Sequence, residues 1–267
     1  GRDFALKALH PSEHTIKSTR VPGGNRPSVT VSTDMIYTVP VASADATITI
    51  YQFPHPVCPL VVSYTAGETT TRWAFYSTTF GGSVVAPLRT QMRDVSREID
   101  TLAELYRVTS QSMTAELIAP ALSDQGTVTS AQFPLSHQTV WKDTTAKQNI
   151  ARMFPLYVYD LPGDEAQWLT ATSAYTARAK EGCYQPLKLT SMKYRTTNRP
   201  ADHVSFDTLT VPIEISPEFT ETGYPFYLPQ AEHTFEFTSA TAGGTVFRGL
   251  AANTAIRIRC RQTLELV

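Results

Sequence analysis

From Ala255 to Val267 the chain alternates. Ile256, Ile258, Cys260, Leu264 and Leu266 fall on one parity, and Arg257, Arg259, Arg261, Thr263 and Glu265 fall on the other. A period of two held over that length marks a half-buried strand, because a helix would scatter the same residues around its circumference. A long strand with one apolar face needs a second layer to cover it and paired neighbours for its backbone groups. The chain is thereby committed to a layered β architecture.

The same signals recur upstream. Val29, Val31, Met35, Tyr37 and Val39 alternate within 28–39, and Thr47 to Phe53 reads as a second strand ended by Pro54, Pro56 and Pro59. Leu60 to Tyr64 and Arg72 to Tyr76 form a predicted hairpin around Ala66-Gly67. Tyr106–Ile118 and Thr127–Phe133 are rich in β-formers and joined through Pro120 and Ser123-Asp124-Gln125-Gly126, residues that favour turns. The apolar phase of the first of these shifts between Val108 and Met113, which predicts a bulge or strong twist. Tyr184 to Leu189 is a strand that Pro186 places near a sheet edge. Phe206–Ile215, Thr234–Thr238 and Thr245–Leu250 complete the set. The stretch 136–172 shows little beyond the apolar run Met153–Tyr159, and the Gly-Gly pairs at 23, 81 and 243 read as turns.

Helical patterning is confined to insertions. Leu88, Met92, Val95, Ile99 and Leu102 share one face of an amphipathic helix over 88–104, with Arg93, Asp94, Arg97, Glu98 and Asp100 mostly off that stripe. Trp168 falls in another short helical stretch. Ser173 is placed to cap a helix running through Lys180, with Gly182 just past its end. Residues 1–27 read as an arm or loop whose apolar start, Phe4 to Leu9, is expected to pack on the domain or on a neighbour. With no alternation of strands and helices of the βαβ kind, the expected class is all-β. The architecture is an antiparallel two-sheet sandwich with short helical insertions, spanning 28–267.

Three passages carry a resemblance. "AELYRVTSQSMTAELIAPALSDQGTVTSAQ" resembles the helix-to-strand passage of coat proteins of small icosahedral viruses of the nodavirus and tombusvirus type. "SAYTARAKEGCYQPLKL" resembles their Ala-x-x-Gly-x-Tyr segment, and "FRGLAANTAIRIRCRQTLELV" their closing pair of strands. The three occur in the family's order and cover about a quarter of the 267 residues. The resemblance implies a jelly-roll shell domain that assembles with identical subunits, in the virion, around viral RNA or single-stranded DNA. It also implies an Arg/Lys-rich arm. The net charge of −1 supplies none, so that arm and its nucleic-acid contacts are expected outside this chain. Some relatives cleave themselves at an Asn-Ala-type bond, and the surroundings of Asn149 and Asn253 do not reproduce that site.

Chemistry beyond assembly is sparse. There is no G-x-S-x-G elbow, H-E-x-x-H helix or phosphate-binding glycine loop, so no catalytic residue is assigned and no enzymatic role is expected. The six histidines are dispersed, and Cys58, Cys183 and Cys260 make no C-x-x-C motif, so each cysteine reads as a small buried hydrophobe. No apolar run approaches the ~20 residues of a membrane helix. Arg257, Arg259 and Arg261 form a basic stripe for phosphates or a neighbour's carboxylates, the alternative being cross-strand pairing on a solvated face. Asp160, Asp164 and Glu165 surround Pro162-Gly163 and offer hard oxygen ligands for calcium, which shells of the resembled type often hold between subunits. Expected subunit-contact residues are Arg93, Arg97 and Glu98 on the helix, Arg178, Glu181 and Tyr184, and the aromatic loop with Tyr224 and Phe226. The competing reading is a carbohydrate-binding β-sandwich module, whose mark would be aromatics set beside polar groups. Trp73, Trp141 and Trp168 are too dispersed to provide it.

Overall fold

The alternating C-terminal segment is strand β15 (Thr254–Leu266), and it lies inside a sheet between β1 (Val29–Val41) and β6 (Leu105–Ile118). Its apolar row fits the register on both sides. Cys260 lies between Met35 and Met113, Ile258 between Tyr37 and Ala115, and Ile256 between Val39 and Leu117. Ile256, Ile258 and Cys260 are fully buried, and each buried aliphatic of this size contributes roughly 1.5–3 kcal/mol. Thr263 pairs with Ser110 and Leu264 with Val108, which leaves Thr109 as the extra residue of a bulge where the phase shift in the sequence placed one.

The computed structural model describes residues 2–13, 21, 27–41, 43–44, 46–54, 59–66, 70–76, 83–84, 103–134, 137–143, 153–159, 165–189, 194–196, 227–229 and 241–267. The remaining elements in chain order are helix α1 (Arg2–Leu9), β2 (Thr47–Gln52), β3 (Leu60–Ala66), β4 (Thr70–Tyr76), β5 (Ser83–Val84), β7 (Thr127–Pro134), β8 (His137–Asp143) and β9 (Met153–Tyr159). Helix α2 (Glu165–Thr170), β10 (Thr172–Arg178), β11 (Cys183–Pro186), β12 (Arg195–Thr196), β13 (Tyr227–Pro229) and β14 (Thr241–Arg248) complete them. One sheet runs β1-β15-β6-β11, with β12 also on β6. The second runs β10-β7-β14-β2-β3-β4-β5, and β13-β9-β8 form a small third sheet. Every strand pair is antiparallel.

The order of strands in the two large sheets is decisive. Take β1, β2, β6, β7, β10, β11, β14 and β15 as strands one to eight. The first sheet then reads 1-8-3-6 and the second 5-4-7-2. That is the double Greek key of a jelly roll. The fold is a jelly roll. Its core is one cluster drawn from both layers, with Met35, Met113, Ile256 and Ile258 from one and Ile48, Ile50, Val128 and Phe247 from the other. The second sheet is extended past its jelly-roll edge by the β3–β4 hairpin, which pairs through Ala66 and Thr70 as the sequence predicts.

Three expectations are corrected. The segment 173–180 is not a helix but strand β10 and the turn after it, paired with β7 from Thr172↔Gln132 to Arg178↔Thr127. Its Thr and Tyr residues are β-formers, and the free edge of β7 outweighs an isolated helical turn. Gly182 does take a left-handed backbone (φ +64), yet it serves a strand-to-strand turn; a Cβ there would meet the Ala115 carbonyl oxygen at 2.5 Å. Gly243 and Gly244 are not a turn but the interior of β14. A Cβ on Gly243 would lie 2.8 Å from Gln185 Oε1, and one on Gly244 would run into the ring of Trp168, so packing excludes a side chain at both. In the N-terminal arm, residues 2–9 are helical rather than irregular. Phe4, Leu6 and Ala8 are half-buried while Leu9 stays exposed.

Candidate functional site

The outward row of β15 carries the predicted basic stripe, and the chain supplies counter-charges to two of its three arginines. Arg257 faces Glu116 in register across β6, and its Nε donates to Glu116 Oε1 at 2.6 Å. Arg259 Nε donates to Asp34 Oδ1 of β1 at 2.9 Å, and Arg261 Nη1 donates to the Ser12 carbonyl at 3.0 Å. Two of the three aligned guanidinium groups therefore meet a carboxylate inside the chain and Arg261 meets a neutral carbonyl, on a half-solvated face where such pairs contribute little to stability.

Further along the same row, Glu265 points outward as the alternation predicts but is 1% exposed. Two segments cover it. The arm approaches through the Val21 N–H (3.1 Å) and Ser28 Oγ (2.6 Å), and Tyr194 donates its hydroxyl at 2.9 Å. From β6, Arg107 reaches the carboxylate through Nε at 2.9 Å and Nη2 at 2.7 Å, with its guanidinium 4.1 Å from the centre of the Tyr194 ring. Burial alone would raise the pKa of Glu265. The hydrogen bonds from Ser28, the Val21 N–H, Arg107 and Tyr194 outweigh it and hold the carboxyl below its ordinary range. This cluster ties the arm, the 194–196 segment and two strands together. The sequence offered no sign of it beyond the parity of Glu265.

The third locality is the open side of the sandwich, where β10 ends one sheet and β11 ends the other. Pro186 sits in that edge strand as predicted. Arg178, Glu181 and Tyr184 all lie here and are exposed. Between the strands opens a cleft of about 810 Å³, walled by Ser130, Gln132, Gln185 and Glu181, with Tyr175 and Tyr184 also lining it. Gln185 donates through Nε2 to the Ala131 carbonyl, but its Oε1 is buried without a hydrogen-bond partner among the described residues. Cys183, also in the wall, is buried against Thr245 Oγ1 at 3.3 Å, and burial pushes its thiol up, away from a reactive thiolate. Tyr175 was not among the predicted site residues.

Other predicted site residues lie outside the described residues: Arg93, Arg97 and Glu98, Tyr224 and Phe226, and Asp160 and Asp164. Glu165 is the first residue of α2. Among the described residues, no three His, Cys, Asp or Glu side chains gather closely enough to hold a metal ion, and no helix is long and apolar enough to cross a membrane. Trp168, in α2 as predicted, is 1% exposed. Phe133 meets it edge-on at 5.9 Å and Tyr51 lies 6.0 Å away, so it is core rather than a binding platform.

No protein-family model matches the chain, and no curated protein matches it. Among solved structures it is similar to the T=1 particles derived from infectious bursal virus, at 10% identity over 99% of this chain and 83% of that one (TM-score 0.48). It is also similar to tobacco necrosis virus, at 12% identity over 90% and 96% of the two chains (TM-score 0.41). For cocksfoot mottle virus the figures are 10%, 89% and 92% (TM-score 0.35).

Proposed function

We propose that the chain is the shell-forming domain of a viral coat protein, which assembles with identical copies into an icosahedral particle around the genome. The observation that carries this reading is the 1-8-3-6/5-4-7-2 strand order closed on a filled core, an architecture used in viral shells as well as in lectins and cupins. A cupin works through a ligand-lined interior. Here the interior between the sheets is occupied by Ile48, Ile50, Met113, Ile256, Ile258 and Phe247. The function is accordingly binding without turnover, by many modest symmetric contacts. Nucleic acid enters this reading through a basic segment beyond the chain, and calcium through the carboxylates at Asp160, Asp164 and Glu165. Electron microscopy of the expressed chain, with nucleic acid measured by absorbance, tests it: a monomer under all assembly conditions would refute it.

The contact surface is proposed along β1, the outermost strand of its sheet. Val29 (65% exposed), Val31 (38%) and Ile36 (61%) put three exposed aliphatics on this one edge strand. Burying one such side chain contributes roughly 1.5–3 kcal/mol. Ile36→Ser is therefore expected to raise the concentration at which particles form by about ten-fold or more. The thermal midpoint of the free chain should stay nearly unchanged, because surface substitutions away from packed features are almost neutral. Light scattering across a concentration series measures the first, and calorimetry the second.

A further inference from the structure

The cleft between β10 and β11 belongs neither to the packed core nor to the surface proposed along β1. Its lining narrows what fits. It contains Glu116 and Glu181 but no Lys, Arg or His, which disfavours phosphate, sulfate or carboxylate ligands. Ala115 and Pro186 are its few aliphatics, too little for an acyl chain. What it does offer is hydroxyls and carboxamides from Thr114, Ser130, Ser173, Gln132 and Gln185, together with two tyrosines. Tyr175 is 52% exposed and Tyr184 46%, one on each edge strand.

Half-exposed aromatic rings beside fixed hydrogen-bonding groups suit a ligand with an apolar C–H face and a rim of hydroxyls. The polar wall is held in place. Gln132 donates through Nε2 to the Pro186 carbonyl at 2.6 Å and accepts from the Lys188 N–H at 3.0 Å, and Glu116 is held by Arg257. Glu181 makes no ion pair among the described residues and is exposed, its Oε2 accepting the Arg178 N–H at 3.4 Å, while the Gln185 Oε1 is turned into the core against Gly243. The Glu181 carboxylate has acceptor capacity to spare, which a sugar hydroxyl can fill.

We propose that this cleft binds a neutral pyranose of a glycan, with Tyr175 and Tyr184 stacking on the ring and Glu181 accepting from its hydroxyls. The runner-up from the sequence, a carbohydrate-binding sandwich, thus reappears as a site on this jelly roll, carried by tyrosines rather than tryptophans. It does not rest on the assembly reading: a chain that never forms particles would still bind.

The test is saturation-transfer NMR on the whole chain with lactose, mannobiose and diacetylchitobiose, followed by binding of assembled particles to the same sugars immobilised. At least one sugar is expected to give saturation transfer. Tyr175→Ala and Tyr184→Ala are each expected to weaken its binding by about ten-fold, the loss of one stacked ring. Thermal midpoints should be unaltered, since both rings are half in solvent, and Glu181→Gln should weaken binding without abolishing it. Four outcomes would overturn the proposal: no transfer from any of the three sugars, binding undiminished in both tyrosine variants, displacement of the sugar by spermidine but by no other sugar, or loss of particle formation in the tyrosine variants. The third would make the cleft a cation site, and the last a contact between copies.

Discussion

Gly244→Ala is expected to lower the unfolding free energy by about 2–3 kcal/mol, the cost of forcing a methyl into a closed space. Two effects oppose each other here. Replacing glycine in a strand interior ordinarily stabilises by about 0.5–1 kcal/mol, through lost freedom in the unfolded chain and better strand propensity. At Gly244, however, the new Cβ would meet the Trp168 ring, with Cζ3 at 2.8 Å and Phe133 Cε1 at 3.3 Å. The ring cannot swing aside cheaply, because Phe133 and Tyr51 hold it from two directions. The clash therefore sets the sign. Urea unfolding measures the loss, and a double-mutant cycle with Trp168→Leu assigns it: the pair should cost less than the sum of the single changes. Additive losses would place the strain elsewhere than against Trp168.

The second large effect belongs to the Arg107–Glu265 cluster. Arg107→Ala is expected to destabilise by about 3–5 kcal/mol, because it strands a buried carboxylate. Arg107→Lys should lose less yet still fall short, since an ammonium group lacks the two guanidinium nitrogens that approach Glu265 Oε2 and stacks poorly on Tyr194. The pH dependence follows from direction. The pKa of Glu265 is lower folded than unfolded. Its contribution is therefore complete above the unfolded value of about 4.3 and is lost progressively as pH falls through the folded value. Glu265→Gln should weaken the protein at neutral pH and flatten the acid limb of its stability curve. An unchanged acid limb, read from chemical denaturation between pH 6 and pH 2, would remove Glu265 from that role. Because Val21 and Ser28 bond to the same carboxylate, the arm should also become more open to proteolysis in this variant.

Much of the fold was legible because strands announce themselves through local alternation. The β15 parity, the Thr109 bulge, the turn at Gly126, the edge position of Pro186 and the helix around Trp168 all follow from residue types within a few positions of one another. The misreadings share a different cause. Ser173 to Lys180 carries a cap-like serine and a terminal glycine, and the same pair of signals brackets a strand once β7 supplies hydrogen-bonding partners. Gly243-Gly244 has the composition of a turn, and only the Trp168 ring and the Gln185 carboxamide, both distant in sequence, show that it is a packing site.

The same division runs through the functional residues. Arg257, Arg259 and Arg261 were visible as a stripe, but its pairing depended on Glu116, which the register sets opposite Arg257, and on Asp34, which reaches Arg259 diagonally across β1 and β15. Likewise, Tyr175 and Tyr184 are nine positions apart in sequence and become two sides of one cleft only because β10 and β11 close opposite sheets on the same side. The amino-acid order by itself determined that this chain makes long antiparallel strands with one buried face, since backbone geometry ties that outcome to a period of two. Which strands became neighbours, which charges were neutralised and where the sandwich stayed open were decided by the closure of the two sheets. Those contacts join residues from tens to more than two hundred positions apart, and no local pattern encodes them.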